Sequence, residues 1–95
     1  MLNLITRLVL DEAVADRFAA ALPAFVAATK AEPGCVNFIA NRSTQEAGVF
    51  WMIEEFVSQE ALDSHMQTAH LAALAGEFGS SFLEAPAMHF IDPIA

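Results

Sequence analysis

The stretch Val49-Phe50-Trp51-Met52-Ile53-Glu54-Glu55-Phe56-Val57 constrains the fold more than any other part of the chain. Its length and its β-branched and aromatic content read as a strand, and alternate residues of a strand point to opposite faces. Phe50, Met52, Glu54 and Phe56 then share one face, while Val49, Trp51, Ile53, Glu55 and Val57 share the other. Both sets are largely apolar, which suits a sheet only when each of its faces is covered. One cover has to come from the chain's own helices, and the other from somewhere else.

The flanking sequence supplies the first cover. Leu2 to Leu10 reads as a strand, and Asp11-Glu12 are acids suited to a helix N-terminus. Val14, Phe18, Leu22, Phe25 and Thr29 then recur at helical spacing, with a bend or break expected near Leu22 because of Pro23. Glu32-Pro33-Gly34 ends the helix, Cys35 to Arg42 is a second strand, and Thr44 to Gly48 is a polar turn. After the third strand, Ser58 is placed to cap a helix with Leu62, His65, Met66 and Ala69 on one side. Thr68 to His70 marks a joint, after which the stripe restarts as Leu71, Leu74 and Phe78. Pro86 closes a loop, and Ala87 to Asp92 is a last strand.

The order β-α-β-β-α-β predicts a single α+β domain over residues 1–95 with the ferredoxin-like split βαβ arrangement. Its antiparallel four-stranded sheet carries helices on one face only. A second copy packed on the open face through Val49, Trp51 and Ile53 is the simplest remaining cover. With 56% hydrophobic residues in 95, a lone domain this small has too little interior to hide them, which also favours a homodimer.

Four basic against twelve acidic residues give a net charge of −8, which disfavours nucleic acid and anionic membrane as partners. The single cysteine, Cys35, excludes an intrachain disulfide and fits a reducing compartment. No basic n-region opens the chain and no long uninterrupted apolar run spans a bilayer, so the sequence predicts a cytoplasmic protein.

Several residues then combine into a familiar order. Ala31-Glu32-Pro33-Gly34-Cys35 follows the first helix, Glu54-Glu55-Phe56 ends the third strand, and Glu60-Ala61-Leu62, His65 and Gln67-Thr68-Ala69-His70 follow. This combination, within a similarity running from Met1 to Pro93, resembles the antibiotic biosynthesis monooxygenase family. The resemblance implies a dimeric α/β barrel with a pocket between sheet and helices in each subunit. It also implies chemistry without metal, flavin or haem. Relatives include monooxygenases of quinols and polyketide phenols, isomerases of phosphorylated signalling molecules, and binding or stress-response proteins. Two departures bear on mechanism. Phe56 stands where tryptophan is common and Phe38 where tyrosine is frequent, and the chain has no tyrosine at all.

His65 is the candidate general base, since a neutral imidazole accepts a proton near neutral pH; the alternative is a core histidine satisfied by its neighbours. Glu54, between Met52 and Phe56, is either a catalytic partner fixing the His65 tautomer or a structural acid bonded to backbone or arginine. Thr6, Phe38, Phe50, Met52 and Phe56 are expected to line an apolar pocket. His70 is placed with that set, bracing or capping it, and His89 at the subunit interface. No metal site is expected: His65 and His70 lack the i, i+4 spacing of a helical ligand pair, and no carboxylate is placed to complete a triad. Cofactor-independent oxidation of a small electron-rich aromatic by dioxygen is the leading expectation. An isomerase of a phosphorylated sugar-like molecule, anchored by Arg7 or Arg42, and a non-catalytic binding module are the alternatives.

Overall fold

The computed structural model describes all residues, 1–95. The chain runs through β1 (Leu2–Val9), α1 (Glu12–Lys30), β2 (Cys35–Arg42), β3 (Val49–Phe56), α2 (Gln59–His65), α3 (Ala69–Phe78), a single 3-10 turn (Gly79–Ser81) and β4 (Ala87–Ile91). The strands make one antiparallel sheet in the order β2-β3-β1-β4, the ferredoxin-like topology expected. No helix is long and apolar enough to cross a membrane.

A side-chain oxygen accepts from one N-terminal N–H group of each α-helix. Asp11 accepts from Ala13 N–H at 2.9 Å, Ser58 from Ala61 N–H at 3.2 Å and Thr68 from Leu71 N–H at 3.4 Å. Of the bend or break expected near Leu22, the break does not occur: α1 is one helix through Pro23. Pro23 lies on the exposed side, where the Ala19 carbonyl it leaves without a donor can turn to water.

The second helix does divide. α2 ends at His65 and α3 begins at Ala69, with Thr68 tying the pieces by donating to the His65 carbonyl at 2.8 Å while capping α3. Because the break comes at once after His65, Met66 and Ala69 leave the expected sheet-facing stripe and are exposed.

Register fixes what each face of the sheet presents. Phe38, Glu54, Leu4 and Phe90 form one row across the four strands, and Ala40, Met52, Thr6 and Met88 the next, both on the helix side. Above them Phe18 of α1 meets Phe50 and Phe78 edge-on at 4.9 and 5.1 Å between ring centroids, the centre of a phenylalanine-rich core. The opposite face carries the rows Ile39, Ile53, Ile5, His89 and Asn41, Trp51, Arg7, Ala87. No element of the chain covers that face, and Ile53 is 44% exposed.

Val49 departs from the expected interface. It is only 3% exposed, enclosed where the turn folds back on the strand end: its N–H donates to Glu46 O and its carbonyl accepts from Ser43 N–H. On the open face Arg7 lies 5.8 Å from the Trp51 ring and ion-pairs with Glu46 and Glu84 at 3.4 and 3.1 Å.

Candidate active site

Glu54 is 6% exposed on the helix side of the sheet. Thr6, diagonal to it across β1, donates its hydroxyl to Glu54 Oε2 at 2.5 Å. Burial pushes the Glu54 carboxyl above its ordinary range, and the Thr6 bond and the nearby His65 only partly offset this. Glu54 makes no hydrogen bond to His65, so it does not fix the tautomer of that ring.

A different carboxylate does. Glu32, in the turn after α1, places Oε2 2.9 Å from His65 Nδ1 and 2.7 Å from His70 Nε2. The turn reaches α2 because Gly34 has no side chain: a Cβ there would sit 2.4 Å from Ala61 Cβ in the first turns of that helix. The two histidines converge because the α2–α3 break reorients the second of them, which a continuous helix would have turned away. This corrects the expectation that no carboxylate joins the pair. Sequence reading treated Glu32 only as part of a turn; its spacing from His65 carries no periodic signal, and the resemblance of Glu32-Pro33-Gly34-Cys35 to the family's turn was the one available cue.

Carboxylate oxygens only accept, so both rings donate N–H to Glu32 and His65 carries its proton on Nδ1. His65 is 3% exposed, ringed by Phe56, Phe38 and Phe25 at 5.3, 5.7 and 6.0 Å. Its Nε2 bonds to no protein atom, yet no fully buried side-chain nitrogen or oxygen lacks a partner. That nitrogen therefore retains access to the cavity that His65 lines.

The cavity, about 700 Å³, lies between the sheet and the helices and is mostly apolar. Thr6, Phe38, Met52, Glu54 and His65 line it as expected. Phe50, Phe56 and His70 do not: Phe50 is fully buried against Phe18, Phe56 packs on His65, and His70 turns to Glu32. Leu71 and Leu74, which helical periodicity had placed on the apolar stripe of α3, also line the wall, together with the segment Phe82 to Pro86, which loop composition did not single out. The polar side chains on the wall are Thr6, Glu54, His65 and Glu84, with no lysine or arginine. Arg7 lies on the other face of the sheet and Arg42 pairs with Asp16 at 2.9 Å, so neither offers the cavity a phosphate anchor. Cys35 has its thiol pushed up by burial and by the carboxylates of Glu32 and Glu54, which leaves it a poor nucleophile.

The family model for antibiotic biosynthesis monooxygenase matches residues 1–76. No curated protein matches the chain by sequence. Among solved structures, an antibiotic biosynthesis monooxygenase superposes with a TM-score of 0.90 at 23% identity, covering 100% of both chains. A Caulobacter crescentus protein provisionally assigned the same activity gives 0.87 at 27% identity, over 99% of this chain and 90% of that one. A Pseudomonas aeruginosa protein gives 0.88 at 23% identity, over 99% and 94%. The match spans the turn bearing Glu32, the strand bearing Glu54 and both histidines, and the chain belongs to the antibiotic biosynthesis monooxygenase family.

Proposed function

We propose that this chain is a cofactor-independent monooxygenase acting on a small electron-rich phenol or quinol. The observation that carries the reading is the His65 imidazole, held by Glu32 through Nδ1 with Nε2 free toward an apolar cavity. A base set in that way removes a phenolic proton without competition from water. The phenolate passes one electron to dioxygen, and the phenoxyl radical and superoxide join through a ring C–O bond. Glu54, the more readily protonated for its burial, gives the peroxide its proton. The resulting C(H)–O–OH loses water to become a carbonyl, and the proton on His65 returns to Glu54. The sum is one phenol and one dioxygen to one quinone and one water. Thr6, Phe38 and Met52 hold the ring, and Phe38 does so by packing alone, since it has no hydroxyl.

The same reading makes the protein a homodimer. Trp51, Ile53, Ile39 and Ile5 form an apolar strip on the uncovered face. Each large side chain withdrawn from water there contributes roughly 1.5–3 kcal/mol.

Chelator-treated protein in an oxygen electrode tests the activity. Quinols should consume one dioxygen per quinone formed, faster than in protein-free buffer, and His65→Ala should slow this by roughly 10²–10⁴-fold. Equal rates for parent and His65→Ala would refute the role of His65.

A further inference from the structure

Glu32, His65 and His70 come from three separate elements: a turn, the end of α2 and the first turn of α3. Their donor atoms Oε2, Nδ1 and Nε2 are 2.9 and 2.7 Å apart in the bonded pairs, and all three lie within 4.8 Å of one another. A tetrahedral zinc ion with bonds of about 2.0–2.2 Å sets its donors roughly 3.3–3.5 Å apart. The two bonded spacings are somewhat shorter than that value and the third pair lies within 4.8 Å, so modest side-chain adjustment makes room for an ion. Two imidazoles and a single carboxylate suit borderline divalent ions and not magnesium or calcium, which require oxygen-rich shells.

Access and charge agree with this. The His70 side chain is 26% exposed and Glu32 13%, so the cluster opens to solvent on the side away from the His65 ring. An ion there keeps an outer position for water. The aromatic rings packed around His65 fix the direction of its imidazole.

We propose that Glu32, His65 and His70 form a site for one borderline divalent transition-metal ion, represented by zinc, in place of the protons now shared with Glu32. Bound through Nδ1, neutral His65 carries its one proton on Nε2. The nitrogen facing the cavity changes from acceptor to donor. On the proposed reading of His65 as base, on which this second consequence rests, the loaded ion silences the site without entering the cavity.

Isothermal titration of chelator-treated protein with zinc chloride tests the site, with magnesium chloride as control. The expected result is one zinc per chain at micromolar affinity or tighter and no magnesium binding. His70→Ala and Glu32→Gln, each checked for folding by circular dichroism, should weaken zinc binding by roughly tenfold or more. Cobalt added to the unaltered protein should give the visible absorption of a tetrahedral ion, a readout that needs no variant. Absence of saturable zinc binding by the unaltered protein overturns the site, as does binding that both variants retain. Equimolar zinc should also suppress quinol-dependent oxygen uptake, with recovery on chelation. Stoichiometric binding without suppression keeps the metal site and removes His65 as base.

Discussion

Gly34→Ala tests whether the turn that carries Glu32 depends on a close approach to α2. The added methyl would meet Ala61 Cβ at 2.4 Å, Ala61 Cα at 3.4 Å and Val57 Cγ2 at 3.5 Å. Carbon atoms prefer about 3.5–4.0 Å, so the first contact must open by more than roughly 1 Å. Both methyls are fixed to backbone, and no rotamer relieves them. Overpacking of this kind costs about 1–3 kcal/mol. Alanine also restricts the unfolded chain, which offsets about 0.4–1 kcal/mol, and Gly34 has no positive φ to add strain. The net loss is about 1–2 kcal/mol, or a melting temperature lower by roughly 5–15 °C for a chain of this size. Thermal denaturation followed by circular dichroism measures it. Ala61→Gly alone should cost about 1 kcal/mol through helix propensity. The double variant should then resemble Ala61→Gly, because removing the second methyl makes room for the first. An unchanged or raised melting temperature for Gly34→Ala, or additive losses in the double variant, would refute the close-approach argument.

Glu54→Gln should stabilise the protein at neutral pH. The folded-state carboxyl is raised, so the folded chain keeps a proton that the unfolded chain has lost between the ordinary carboxylate value and the raised one. Parent stability therefore falls as pH climbs through that window, while the variant, still able to accept from Thr6, does not titrate there. Urea midpoints from acid to neutral pH should diverge in the variant's favour across the window and stay parallel above it; curves parallel throughout would contradict the burial argument. Trp51→Glu should reduce the proposed dimer to monomers or aggregates, read by light scattering, and a parent protein that is already monomeric at micromolar concentration would end the barrel reading.

The strands were legible because alternation is a local signal: the two faces of β3 followed from parity and the register keeps them, although the chain's own turn encloses Val49. Pro23 does not break α1, because propensity ignores which way a helix faces and a solvent-side proline costs less than a buried one. The site was half legible. His65 and Glu54 stood out as polar residues in apolar settings, and both line the cavity. Their expected partnership failed because a strand carboxylate finds its nearest donor diagonally across the sheet, on Thr6. Glu32 was hidden for the opposite reason. Its contact depends on where α1 ends, on a missing methyl at Gly34 and on the α2–α3 joint, three separate facts that no spacing encodes.

Arg7 gives the uncovered face a hold on the cavity rim. Its guanidinium lies by Trp51 on the far side of the sheet, yet one of its two carboxylate partners is Glu84, which lines the cavity. In water such a pair contributes about 0–1 kcal/mol. A cover laid over Trp51 would also exclude water from Arg7, and the attraction to Glu84 strengthens as the local dielectric falls. In the proposed dimer, association on one side of the sheet would then stiffen the mouth of the chamber on the other, so that retention of a ligand and pairing of subunits would depend on a single arginine.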